Sequence, residues 1–380
     1  MRYILGVRRV VFASVLAACG TPPTGPAPRP APAALTVARA ELLLAARTAG
    51  DTAAIRAHAW QQWQDLTRGS APAWDLWVRS DVVFSAAPLA ATSEIAFRPP
   101  RPITEAGVAI VTDPLLYDVL LDPEAARFVR DRGLARRASF AALGAHIPEM
   151  PTGAAALKLV WVPIHRTGLT AVPVWDDAPA RPDAAGNPPS TWARVVAVDP
   201  TRAVIPAGEQ ADVARQGHSV RARVVPLAAF AHHRLATDAE VRTARAVVGP
   251  DVERGDEVAL VAVHLTTKEI PEWTWATWWW HDRAEAGPFA DGRPAGLAGW
   301  AASYRMDATL SPDAPCMNPW LEARFPGGLG SSCASCHQRA AFGAREFLPV
   351  PASSTAADDP YFTGKVTTDF LWSIALEAKP

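Results

Sequence analysis

With 380 residues, the chain is long enough for one large domain or two ordinary ones. Its 37 Lys and Arg balance 38 Asp and Glu, a net charge of −1, so composition argues against nucleic acid or a polybasic membrane patch as a partner. The 36 Pro and 15 Trp favour a loop-rich, aromatic-packed fold over a plain helical bundle.

Residues 1–18 read as a signal peptide. Arg2, Arg8 and Arg9 precede an apolar run from Val10 to Ala18, well short of the roughly 20 residues needed to span a bilayer. Leu16-Ala17-Ala18-Cys19 has the form of a bacterial lipobox, in which Cys19 is acylated and becomes the first residue of the mature protein. An ordinary secretory signal with an incidental cysteine is the alternative. By resemblance to Gram-negative lipoproteins, Gly20 directs the chain to the outer membrane, facing the periplasm. Residues 19–34 then form a lipidated cysteine and a Pro-rich tether.

The folded part starts near Leu35. Helices are expected from Leu35 to Thr48, stopped by Gly50, and from Asp51 to Arg68, with Asp51 as N-cap. Short strands follow at Leu115 to Leu121, Ala156 to Ile164, Trp192 to Asp199, Ser219 to Leu227 and Glu257 to Leu265, each an apolar or alternating run between Pro, Gly and Asp. Two helices break the series: DPEAARFVRDRG, capped by Asp122, and TDAEVRTARAVVGP. The pattern lacks regular strand–helix alternation. It predicts an α+β fold with a mostly antiparallel sheet, N-terminal helices and a site built at the C-terminal end of the same domain. Residues 35–256 form a region without a motif, and residues 257–380 carry the chemistry.

That chemistry lies in GSSCASCHQRAAF, Gly330 to Phe342. Cys-x-x-Cys-His is the attachment sequence of haem c. Thiols at this spacing, Cys333 and Cys336, reach the two vinyl groups of the porphyrin, and the adjacent His337 becomes an axial iron ligand. A thioredoxin-like pair, a zinc site and a plain disulfide between Cys333 and Cys336 compete with this reading. The Gly/Ser-rich approach, the scarcity of further thiols and the adjacent histidine favour haem. Cys316 has no evident partner.

The opposite axial position is open in the sequence, because the 43 residues after His337 contain neither Met nor His. The upstream candidates are His264, which ends the run VALVAVHL, His281, which ends WTWATWWWHD, and Met306 in YRMDAT. In an extended chain the tryptophans of WTWATWWWHD make an aromatic wall on each face, and Trp273, Trp275 and Trp278 are candidates for packing on a porphyrin. Filling the core is the alternative role for these rings.

The stretches HLTTKEIPEWTWATWWWHD (His264 to Asp282), YRMDAT (Tyr304 to Thr309), CMNPWLEARFPGGLGSSCASCHQRAAF (Cys316 to Phe342) and DFLWS (Asp369 to Ser373) together resemble a family of exported bacterial cytochrome c proteins. Its members have several hundred residues and one C-terminal haem motif. The resemblance implies that the strand from His264 to Trp280 helps to build the haem pocket, and it carries no settled activity.

Two functions follow as expectations. The first is electron transfer by one covalent haem c, with an unidentified redox protein as partner and the membrane reached through the lipid anchor. The second is a haem enzyme or small-ligand sensor with an open distal iron. No residue set suggests acid–base catalysis, so no catalytic residue is assigned. A third possibility makes residues 35–256 a partner-binding module.

Overall fold

The N-terminal helices form where their caps put them. α1 spans Val37–Ala49 and α2 spans Thr52–Thr67. Between them, Asp51 accepts a hydrogen bond from the Ala54 amide at 3.0 Å, which satisfies one of the orphan N–H groups that open α2. α2 buries Ala59, Trp60, Gln62, Trp63 and Leu66, a stripe at helical spacing. The two later helices form at Pro123–Asp131, capped by Asp122, and at Asp238–Val248, closed by a reciprocal Thr237–Glu240 capping box. The computed structural model describes residues 37–97, 103–105, 108–110, 115–177, 186–344 and 351–380. The signal peptide, Cys19 and the tether lie outside the described residues.

All five expected strands form, within two residues of their anticipated ends. The main sheet runs in the order Val78–Arg79, Leu116–Leu121, Ala155–Ile164, Glu257–Thr267, Thr274–Trp280, Tyr304–Thr309. His232–Arg234 pairs beside the start of Glu257–Thr267, and every pairing in this sheet is antiparallel. A second sheet, ordered Thr170–Val174, Arg194–Asp199, His218–Pro226, Gln210–Arg215, contains one parallel pair. The architecture is therefore α+β with a mostly antiparallel sheet. The sequence did not anticipate two of its strands, Thr170–Val174 and Gln210–Arg215. Gln210–Arg215 buries only Val213, so its sequence carries no periodic signal.

The described residues from 37 onward form one unit, and the main sheet draws strands from both sides of residue 256. Its tryptophan strand, Thr274–Trp280, is buried along its whole length because both faces are covered. On one face Trp278 stacks on Trp63 of α2, ring centroids 5.0 Å apart. Such ring geometry is worth roughly 0.5–1.5 kcal/mol beyond burial itself. On the other face Asn318, fully buried, donates from Nδ2 to Thr277 Oγ1 at 2.7 Å and to the Trp278 carbonyl at 3.0 Å. That contact pins the segment leading into CASCH against the sheet.

Candidate functional site

CASCH forms a short helix, Cys333–Gln338, entered through PGGLGSS. The loop needs Gly328, since a Cβ there would lie 1.9 Å from the Glu322 carbonyl oxygen. Cys316 runs alongside. Its amide donates to the Ser331 carbonyl at 3.1 Å, and its carbonyl accepts from the Cys333 amide at 3.0 Å and the Cys333 thiol at 3.3 Å. Cys316 is thus a buried neighbour of Cys333. Burial also pushes the Cys336 thiol up to about 12.

His337 is oriented from the C-terminal segment. Its Nδ1 donates to the Phe370 carbonyl at 2.8 Å, which fixes the tautomer and leaves the Nε2 lone pair available. Burial lowers its pKa to about 4, so the ring is neutral at pH 7.

Opposite it stands His264. Lys158, His264, Thr277 and Asp307 are successive register partners on four adjacent strands, so their side chains share one face of the sheet. This polar row faces the CASCH segment: Asn318 holds Thr277, and Asp307 Oδ2 accepts from the Met317 amide at 3.1 Å. His264 is 7 % exposed, and neither ring nitrogen has a hydrogen-bond partner. Its ring centroid lies 5.4 Å from that of His337. Burial and the neighbouring His337 hold its pKa well below the usual histidine value. Trp275 completes the wall, 4.6 Å from the His337 ring and 6.2 Å from that of His264.

The two imidazoles and both CASCH thiols border one small, partly open cavity. Lys158, Glu322 and Arg324 also line it, and sequence reasoning missed all three. Burial pushes Glu322 up to about 7; burial and the Arg324 charge bring Lys158 down to about 8. A lone charge inside the apolar run ALKLVWVPI was the available signal for Lys158.

Of the other candidates, Trp273 joins the cluster that holds Cys333, and its indole N–H donates to Asp369 Oδ1 at 3.2 Å. Trp278 is on the α2 face, away from the motif, and fills the core there. Met306 is its register partner and shares that face, so its sulfur is not presented to CASCH. His281 lies beyond the far end of the tryptophan strand and is already satisfied: Nδ1 accepts from the Arg283 amide at 2.9 Å, and Nε2 lies 3.1 Å from the Trp175 carbonyl.

Burial, with the nearby Arg305 cation, lowers the pKa of His281 to about 4. As pH falls below 6.5 the unfolded chain binds a proton that the folded chain refuses until about pH 4, so this group withdraws stability over that window. Glu322 and Asp307, raised to about 7 and about 6, contribute with the opposite sign as they protonate. The comparison that isolates His281 is therefore wild type against His281→Asn. Urea unfolding at pH 7 and pH 4.5 should show the wild type losing about 2–3 kcal/mol more than the variant. Equal losses would refute the assignment.

Comparison with protein-family models, curated proteins and solved structures finds no match to this chain.

Proposed function

We propose that the protein is an exported haem c electron carrier. In this reading Cys333 and Cys336 would hold the porphyrin through thioethers, and His337 Nε2 and the His264 ring would bind its iron. The observation that carries it is His264: a buried imidazole with both nitrogens unpartnered, facing the CASCH histidine across a cavity shared with both thiols. A buried polar ring left unpaired costs about 1–3 kcal/mol, and ligation removes that cost. Trp275 packs beside both rings, and the Phe370 carbonyl sets the His337 tautomer, as outer-shell groups do at metal sites. A haem so held supplies a one-electron iron couple whose potential depends on its axial ligands and burial. Two imidazoles on rigid packed elements limit rearrangement between oxidation states. Lipidation at Cys19 would keep this carrier at the periplasmic face of the outer membrane, where a redox protein exchanges electrons with it.

The test is expression of the full chain in a host that exports and attaches haem c. Intact mass should show one covalent haem, and the alkaline pyridine spectrum should be that of a thioether-linked haem. Cys333→Ser/Cys336→Ser should abolish both signals. A wild-type chain that matures without covalent haem would overturn the reading.

A further inference from the structure

Two cations share the cavity with the thiols and imidazoles, and neither has a carboxylate partner among the described residues. Arg324 is 5 % exposed. Its Nε donates to the Leu321 carbonyl at 3.1 Å, while Nη1 is buried without a hydrogen-bond partner. Its guanidinium carbon lies 4.6 Å from the Phe325 ring and 5.6 Å from the Tyr117 ring. The Lys158 ammonium lies 4.4 Å from the same Tyr117 ring. Two like charges therefore border one aromatic ring. The cavity's one carboxyl, Glu322, accepts from the Asn318 amide at 2.5 Å; it feels the charge of both cations, but no ion pair with either forms among the described residues. An aromatic face offsets part of the cost of burying a cation, and a guanidinium N–H without an acceptor still costs several kcal/mol. The arrangement calls for an anion with more than one acceptor oxygen, delivered into the cavity itself.

We propose that Lys158 and Arg324 form a carboxylate cradle that takes the propionate groups of the haem. The inference rests on the haem reading above. Porphyrin fits the cradle better than a free anion because it brings two carboxylates to two cations. Charge-assisted hydrogen bonds to a planar guanidinium are the strong, orienting kind, so the cradle would also fix which way round the macrocycle enters.

The test uses the full-length apo chain, titrated with ferric haem and with its dimethyl ester, which keeps the macrocycle and removes both charges. Soret absorbance should show wild type binding haem about tenfold or more tighter than the ester. Lys158→Met/Arg324→Gln should lose that preference through weaker haem binding, with ester binding unchanged. Arg324→Lys, which keeps the charge, should retain part of it. The wild-type arm needs no variant and stands even if a variant misfolds. Equal binding of haem and ester by wild type overturns the cradle and leaves the haem reading standing. Binding of neither overturns both. Acetate titrated into the haem-loaded protein separates the sources: a saturable spectral change in wild type would mean that the cradle serves a free anion, and it would overturn the propionate assignment.

Discussion

If the haem reading holds, His264→Ala should convert a low-spin spectrum that ignores carbon monoxide into a high-spin one, and its ferrous form should bind the gas. The expectation follows from three facts about one side chain. His264 sits on a central strand, paired on both sides, so its backbone cannot drift. Its ring is buried with no hydrogen-bond partner on either nitrogen. It faces His337 with ring centroids 5.4 Å apart. Replacement by Ala removes the imidazole from the cavity wall. His264→Met is the informative partner variant, because thioether ligation keeps the iron six-coordinate and raises its potential relative to bis-imidazole. His281→Ala and Met306→Ala should leave the spectrum unchanged, since His281 lies beyond the strand's end and Met306 faces α2. An unaltered, gas-insensitive spectrum in His264→Ala would remove His264 from the coordination sphere. Rapid carbon monoxide binding by wild type would instead favour an open-iron enzyme or sensor.

The sequence exposes this site unevenly, for physical reasons. CASCH is local: two thiols and a histidine at fixed spacing carry their chemistry without the fold. The long strands were legible because apolar runs between Pro, Gly and Asp have few other fates. The far wall of the cavity is different. Lys158 and His264 interrupt apolar runs, Thr277 and Asp307 do not stand out in theirs, and only the pairing register aligns the four. A register shift of one residue would send each to the opposite face. The same parity decides the tryptophans. Alternation along one strand separates Trp275 from Trp278 correctly, yet it cannot say which face meets α2 and which meets CASCH. Met306 kept its candidacy in the sequence for that reason and loses it on the sheet. Glu322 ends the four-residue helix Pro319–Glu322 and Arg324 lies in the turn after it, a stretch too short for periodicity to make a buried charge stand out.

Lys268→Met should be the most damaging substitution outside the cavity, costing about 3–5 kcal/mol in urea unfolding at pH 7. Lys268 is almost fully buried; its ammonium donates to Asp369 Oδ1 at 2.9 Å and to the Pro271 carbonyl at 2.8 Å. Asp369 is a hub. It also accepts from the Trp273 indole at 3.2 Å and from the Met150 amide at 2.8 Å. Asp369 and Phe370 both adopt positive φ, 44° and 68°, a conformation that side chains other than Gly hold only when the surroundings enforce it. The bonds to Asp369 are that enforcement, and they aim the Phe370 carbonyl at His337. Removing Lys268 leaves the carboxylate without its principal cation and loosens the turn. Two readouts should therefore move together: stability falls, and the iron potential rises as His337 loses the acceptor that makes its imidazole more basic. Lys268→Met/Asp369→Asn supplies the control. Asn tolerates positive φ and can still accept from Trp273, so the double variant should recover most of the stability lost by the single one. A single variant that unfolds like wild type would show that the pair is not what holds the turn. A stability loss with an unmoved potential would detach the turn from His337.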